Sequence, residues 1–335
     1  MVVNLDAKDK KILSELDMDA RQSISAIAKK VGLSKEVVNY RIKQLEKKKV
    51  IAGYYTVLNT SKLGLIFCRF FMRFQNVDLI KEKEIVEYAK KFPEICWVVN
   101  TKGPWDMVFV MLTRKINDFK KRCDEISYKY GPYFQARYVS IATKIHHMKH
   151  NYLFGTKDDR EFVLGGEVEE EKIDETDISI LSIISDNARI STLDVARQLN
   201  ITPNTVKYRI KKLVESGIIL CFRAAIGVKE LGYQRHKVIM TLQNMTEAKI
   251  RQMITFLQTN PNVVYVTEAV GIGDLEFEID VKDSNELHDN MNRIRTQFGE
   301  LIREYQVCMT YSEEQVNYLP SEKAAESEKS AQKKS

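Results

Sequence analysis

Two segments of this chain set basic and amide side chains at helical spacing around the same tetrapeptide. They are Tyr40-Arg41-Ile42-Lys43 and Tyr208-Arg209-Ile210-Lys211. In the first, Val38, Ile42 and Leu45 fall at i, i+4 and i+7, one apolar face at about 100° per residue. The opposite face carries Glu36, Asn39, Tyr40, Lys43 and Lys47, with Lys35 and Arg41 on its flanks. The second presents Asn204, Lys207, Tyr208 and Lys211, flanked by Arg209. Asn and Lys donate to base edges while Lys and Arg neutralise phosphates, so this chemistry suits a helix in a DNA major groove. A merely solvated basic helix is the competing reading, and recurrence of the pattern in one frame counts against it. Tyr40 and Tyr208 are open between packing and DNA contact. Arg41 and Arg209 are open between a phosphate and a carboxylate of their own domain.

Other reactive residue types are sparse. Cys68, Cys96, Cys123, Cys221 and Cys308 form no Cys-x-x-Cys pair and read as buried free thiols of a reducing compartment. His146-His147-Met148-Lys149-His150 is a cluster without a counterpart later in the chain, and is expected to be an exposed, mixed strand end rather than a metal site. No nucleotide loop, paired catalytic carboxylates or Cys/His triad stands out. The chain is therefore read as a non-enzyme, with no catalytic residue, metal or cofactor.

The elements that position these residues are duplicated. Residues 5–51 overlie residues 173–219 without a gap at an offset of 168, with 16 identities in 47 positions. Among the matches are Asp6/Asp174, Asp9/Asp177, Ala20-Arg21/Ala188-Arg189 and the Tyr-Arg-Ile-Lys segments. The offset persists through Leu63-Gly64/Leu231-Gly232, Gly103/Gly271 and Asp106/Asp274, and slips by two at Asn151-Tyr152-Leu153/Asn317-Tyr318-Leu319. The expected domains are 1–60 and 173–226 (DNA-binding), two further domains 61–152 and 227–319, an acidic linker 153–172 and a disordered tail 320–335. Within the linker, Glu161-Phe162-Val163-Leu164 can add an edge strand to the first copy.

The start of each copy reads as three short helices. Asp6/Asp174, Ser23/Ser191 and Ser34/Thr202 are candidate N-caps, and Gly32 or Asn200 forms the turn between the last two helices. That is a helix-turn-helix of winged type. The following residues change to strand period: strands 66–74, 95–101, 107–113 and 133–145 with helices 81–91 and 116–130, repeated as strands 237–242, 263–270, 275–281 and 302–310 with helices 247–259 and 285–298. The order βαββαβ predicts two ferredoxin-like domains, and the whole an α+β protein. Each open sheet face needs a cover, and a second such domain supplies it.

With these residues in view, the chain resembles the Lrp/AsnC (feast/famine) family of regulators in tandem duplication. The family's Leu-Asp-x-x-Asp-x-x-Ile-Leu opening is present as Leu5 to Leu13, and recurs from Ile173 to Leu181. Its recognition helix fits Ser34, Val38, Arg41, Ile42, Leu45 and Thr202, Val206, Arg209, Ile210, Leu213. The closing Gly-Ile-Ile is kept as Gly217-Ile218-Ile219, whereas the first copy has Lys49-Val50-Ile51, a strained helix end if that residue must be left-handed. The resemblance implies AsnC-type (RAM) ferredoxin-like domains, a double-stranded DNA partner and a small-molecule effector, an amino acid or related metabolite. It further implies an effector site using Gly103, Asp106, Gly271 and Asp274, although turns chosen for backbone geometry explain those residues equally. Siroheme decarboxylases share the fold and offer an enzymatic alternative, but where their segment reads His-Asn-Tyr-x-Arg-x-His…Asn-Leu-Trp-Phe the corresponding stretch here is Val98-Val99-Asn100-Thr101-Lys102-Gly103-Pro104-Trp105-Asp106, without the histidines or the arginine. A sensing scaffold with weak DNA binding is a third reading.

Charge separates the copies. Residues 61–152 hold 17 basic and 9 acidic side chains, residues 227–319 hold 9 and 14. Opposite signs favour pairing of the two unlike halves inside one chain, a pseudo-dimer open to further self-association. Residues 1–60 hold 12 basic and 7 acidic side chains against 7 and 6 in 173–226, which makes the first head the stronger phosphate binder. No apolar run of about 18 residues is present, and the N-terminus lacks a signal-peptide core, so a cytoplasmic protein without membrane contact is expected.

Overall fold

The computed structural model describes residues 2–155, 158, 160–167, 171–316 and 319, with the side chains of 314–316 excepted. The expected disordered tail, Asn317-Tyr318 and part of the acidic linker lie outside those residues.

The first copy runs α1 (Ala7–Met18), α2 (Ile24–Val31), α3 (Lys35–Lys47), β1 (Ile51–Leu58), β2 (Ile66–Phe74), α4 (Leu79–Ala89), β3 (Ile95–Lys102), β4 (Met107–Thr113), α5 (Ile116–Tyr130) and β5 (Phe134–Met148). A short α6 (Asn151–Phe154) and β6 (Glu161–Gly165) follow. The second copy repeats the plan as α7 (Glu175–Asp186), α8 (Thr192–Leu199), α9 (Pro203–Glu215), β7 (Ile219–Ile226), β8 (Gln234–Leu242), α10 (Glu247–Thr259), β9 (Val263–Gly271), β10 (Leu275–Val281), α11 (Ser284–Phe298) and β11 (Ile302–Val316). The protein is α+β.

Helix ends follow their capping residues. Asp6 accepts from the Lys8 and Asp9 amides, Ser23 from Ala26, and Asp174 closes a reciprocal capping box with Asp177. Lys49 stands at φ 57 where its counterpart Gly217 stands at φ 71, so the first copy does carry a non-glycine residue in the left-handed region.

Each βαββαβ half forms a four-stranded sheet, β5-β2-β4-β3 and β11-β8-β10-β9, and the two sheets join at both edges. β11 pairs with β3, and β5 with β9, closing a ring of eight strands. β6 adds to β5, as the linker sequence suggests. One face of each sheet packs on its own two helices through clusters such as Phe70, Met72, Phe109 and Ile126, or Met240, Phe277, Met253 and Ile294. The opposite faces meet inside the ring. The strands β5 and β11 run three and six residues further than their apolar pattern suggests; in those extensions His146 and His147 pair with β9, and Ser312, Glu313, Gln315 and Val316 with β3.

The two heads are joined by the antiparallel pair β1–β7, in which Tyr55 faces Arg223. These residues are counterparts at the repeat offset, so a pseudo-two-fold axis passes through them. Around it contacts come in pairs: Ala20 N donates to Phe222 O and Ala188 N to Tyr54 O, while Arg21 donates to Ala188 O at 2.7 Å and Arg189 to Ala20 O. Each head also completes its core with the other copy. Ala224 and Leu231 pack into the first head with Leu153, and Leu58 and Leu63 into the second with Leu319. The sequence boundaries at residues 60 and 226 therefore do not divide the hydrophobic cores.

Candidate nucleic-acid interface and charged interior

The recognition helices α3 and α9 are presented as their periodicity requires. Ser34 caps the first through the Val37 amide, and Thr202 the second through that of Thr205. The preceding turns take their left-handed residue as Gly32 (φ 65) and Asn200 (φ 54). Val38, Ile42, Leu45 and Val206, Ile210, Leu213 are buried against their heads. Lys35, Asn39, Tyr40 and Lys43 stand exposed, as do Asn204, Lys207, Tyr208 and Lys211. At 64% and 68% exposure, Tyr40 and Tyr208 are not packing residues of their own domains.

Arg41 and Arg209 behave differently. Arg41 Nη1 lies 2.7 Å from both Asp6 Oδ2 and Asp9 Oδ1, and Arg209 Nη1 makes the same contacts with Asp174 (2.7 Å) and Asp177 (2.9 Å). The Asp9 amide and the Arg41 guanidinium together hold the Asp6 carboxyl below the ordinary range. Each arginine thus ties the recognition helix to the first helix of its head. This is the intradomain alternative, and it takes both residues out of the set of free groove-facing cations. The signal was available in sequence, because Asp6, Asp9 and Arg41 recur together at the same offset.

The Gly-x-x-Asp turns carry backbone duties. Asp106 Oδ2 accepts from Phe74 N, and Asp274 Oδ2 from Leu242 N, each at 2.7 Å, pinning the turn to the neighbouring strand end. Gly103 (φ +135) and Gly271 (φ +131) lie so close to Val307 O and Val139 O that a Cβ would collide with them. Trp105 is buried inside the ring rather than exposed on its turn, with Nε1 donating to Gln306 at 2.9 Å. All four turn residues are therefore accounted for by local geometry, one Asp oxygen in each turn excepted.

The histidine cluster departs from expectation. His146, His147, Lys149 and His150 are buried, not an exposed strand end, because β5 continues to Met148 between β6 and β9 and the first head docks behind it. His150 donates its backbone amide to Asp17 Oδ2 at 3.0 Å. Arg223 meets the same carboxylate, donating from Nε to Asp17 Oδ1 at 3.1 Å, and also bonds two backbone carbonyls, Asp17 O from Nε at 2.9 Å and Met148 O from Nη2 at 3.0 Å. Burial alone would raise the Asp17 pKa, but Arg223 and His150 outweigh it and hold it well below the ordinary value. His147, buried and beside Arg223, is pushed well down and is neutral.

Inside the ring the copies are chemically unlike. The first copy turns Val108, Val110 and Leu112 of β4 inward, and the second turns Glu276, Glu278 and Asp280 of β10 inward at the matching positions. Cations from both copies answer them. Arg69 bonds Glu276 and Ser140, Lys237 reaches Glu278 at 2.8 Å and Glu276 at 3.3 Å, and Arg235 forks onto Asp280 at 2.8 and 2.9 Å. Burial pushes Asp280 up, and Arg235 more than reverses the effect. Sequence reasoning registered the net-charge difference but not these residues, since alternation of Leu275-Glu276-Phe277-Glu278 normally marks a solvent face.

Comparison with known proteins agrees with the heads. An AsnC-type helix-turn-helix domain model matches residues 5–46, and a winged helix-turn-helix DNA-binding model matches residues 173–219. The HTH-type transcriptional regulator LrpA of Pyrococcus horikoshii is 35% identical over 129 residues, 38% of this chain and 86% of that protein. The chain belongs to the Lrp/AsnC family. A second relative, the HTH-type transcriptional regulator FL11 of Pyrococcus furiosus, is 30% identical over 142 residues, 42% of this chain and 91% of its own length. Among solved structures, the siroheme decarboxylase NirDL covers 97% of this Lrp/AsnC chain and 98% of itself with a TM-score of 0.63. At 13% identity that likeness concerns the fold alone. Among the described residues no helix is long and apolar enough to cross a membrane.

Proposed function

We propose that this chain is a sequence-specific transcription regulator whose two heads read adjacent, unequal half-sites on double-stranded DNA. The observation that carries the reading is the pseudo-two-fold pair of recognition helices, each with its apolar side buried and its Lys, Asn and Tyr side free. The groove-facing set is Lys35, Asn39, Tyr40 and Lys43 in one head and Asn204, Lys207, Tyr208 and Lys211 in the other. Glu36 and Asn39 stand where the second head has Asn204 and Lys207, so the bases read differ and the operator is an imperfect palindrome. Half-sites lie about one helical turn apart, roughly 34–36 Å.

A small-molecule effector, an amino acid or related metabolite, shifts the placement of the heads. The RAM turns at Gly103–Asp106 and Gly271–Asp274 are one candidate location, supported by the one carboxylate oxygen in each that has no backbone duty. The enzymatic alternative is separated by adding siroheme to the protein and following its absorbance; a bound spectrum and loss of a carboxylate would displace the regulator reading. The regulator reading itself is tested by selecting binding sites from random duplex DNA. Enrichment of an asymmetric two-part site supports it, and selection of no sequence above background overturns it.

A further inference from the structure

The interior of the ring contains a cavity of about 60 Å³, walled by both copies. Phe67, Val108, Val110, Ile145 and Leu164 form an apolar side, while Lys237, Tyr265, Thr267 and Glu278 form a polar one. At roughly 10–15 Å³ per water, the space holds about four to six non-hydrogen atoms.

Three side chains that line this cavity have buried polar atoms without a hydrogen-bond partner: Arg69 Nε, Trp97 Nε1 and His147 Nδ1. Buried donors are almost always satisfied, and leaving one unmade costs about 1–3 kcal/mol, so three around one space mark a place built for something that bonds there. Two of them, Arg69 Nε and Trp97 Nε1, are N–H donors and require an acceptor oxygen. His147 is neutral, and its Nδ1 either accepts from an N–H or donates, according to the tautomer.

Charge decides the class of occupant. Around the cavity Arg69 faces Glu276 and Lys237 faces Glu276 and Glu278, while Glu313 adds a third carboxylate. That excess of negative charge disfavours a carboxylate, and an ammonium has no acceptor to offer the two N–H groups. We propose that the ring interior binds a small uncharged carbonyl compound, best a short primary amide. Its oxygen takes the Arg69 and Trp97 N–H groups, its NH₂ serves His147 Nδ1, and its alkyl stub lies against Val108, Val110 and Ile145. This site is distinct from the RAM turns, and its occupant touches residues next to the Arg223–Asp17 pair that holds the first head: His147 precedes Met148, whose carbonyl accepts from Arg223, and Tyr265 bonds Tyr55, the partner of Arg223 across the β1–β7 pair.

The test is calorimetric titration of the full chain, without DNA, using acetamide, propionamide, propionate and alanine. Measured without DNA, it stands or falls separately from the regulator reading. Propionamide is expected to bind, with Trp97→Phe weakening it about fivefold through loss of one hydrogen bond and Val110→Phe abolishing it by filling the space. Both variants are checked for folding by their thermal transitions, and binding by either at wild-type strength counts against this location. No heat from either amide overturns the proposal, leaving the cavity to water. Propionate or alanine binding as tightly as the amides overturns the charge argument and with it the proposal.

Discussion

Asp17, near the end of the first head's opening helix, and Arg223, in the wing strand of the second copy, form an ion pair with side chains 0% and 1% exposed. Their counterparts at the repeat offset are Ser185 and Tyr55, so the pair exists on one side of the pseudo-two-fold only. The heads are consequently held unequally: the first by a buried charge contact that includes His150, the second by the hydroxyl of Thr56 on Ile184 O at 2.6 Å. Removing one member of such a pair strands the other in a medium that cannot solvate it. Asp17→Ala is expected to cost about 3–5 kcal/mol of stability, and Ser185→Ala far less. Chemical denaturation of both variants measures the difference; equal small losses would show that Arg223 finds solvent instead.

Arg69 and Glu276 are a second cross-copy pair, and their energetics should be non-additive. Either single truncation leaves a buried charge, so Arg69→Met and Glu276→Met are each expected to lose about 3–5 kcal/mol. The double substitution should recover much of that loss, since no charge is then stranded. A double-mutant cycle by urea unfolding reads the coupling directly. Additive losses would mean that the pair is not the interaction that matters.

Arg41 and Lys43 sit two residues apart on one helix but should respond differently to alanine. Lys43→Ala, or Lys211→Ala in the second head, should weaken DNA binding across sequences and reduce the slope of log affinity against log salt by about one. Arg41→Ala instead releases α3 from Asp6 and Asp9, lowering the thermal transition of the free protein. Fluorescence anisotropy over a salt series, beside melting curves, separates the two. Unchanged salt slopes for both lysine variants would remove these helices as the DNA readers.

Lys49 occupies a left-handed position that its counterpart Gly217 occupies without strain. Lys49→Gly is expected to raise stability by up to about 1 kcal/mol, because glycine adopts that backbone without a Cβ penalty. Gly217→Lys should lower it similarly. Thermal unfolding of the two variants checks both signs.

His146 gives the protein a pH-dependent contact. It lies 3.2 Å from Glu161 of β6 and 3.3 Å from Glu268 of β9, with Gln258 of α10 also 3.3 Å away. Burial opposes its protonation, but the two carboxylates outweigh burial and hold its pKa above the ordinary value. A raised histidine pKa stabilises fully below about 6.5, and the contribution fades as pH rises through the folded-state value. Glu268, lowered chiefly by its bond to His146, loses its share as pH falls below about 4.5. The melting difference between wild type and His146→Gln should be greatest between those limits and shrink toward pH 8–9. A difference that does not change with pH would show that the imidazole is not charged in the fold.

The amino-acid sequence by itself determined the helices, their caps, the βαββαβ order and the duplication. Each rests on spacing within a few residues, i to i+4 along a helix, alternation along a strand, or a cap oxygen three residues from its amide, and such spacing is written locally. It also left visible the strain at Lys49, since a missing glycine at a helix end is a local fact. Only the tertiary structure decided what lies across from what. Asp17 meets Arg223 across 206 positions, and Arg69 meets Glu276 across 207. The inward face of β10 looks solvent-exposed in sequence because Glu276, Glu278 and Asp280 alternate with apolar residues. It is buried because a partner sheet with matching cations closes over it. The histidines after Ile145 are buried for the same reason: strand length there is set by pairing with β9 of the other copy, which no pattern within the strand records. Burial and charge compensation depend on distant partners, and those become neighbours only when the ring closes.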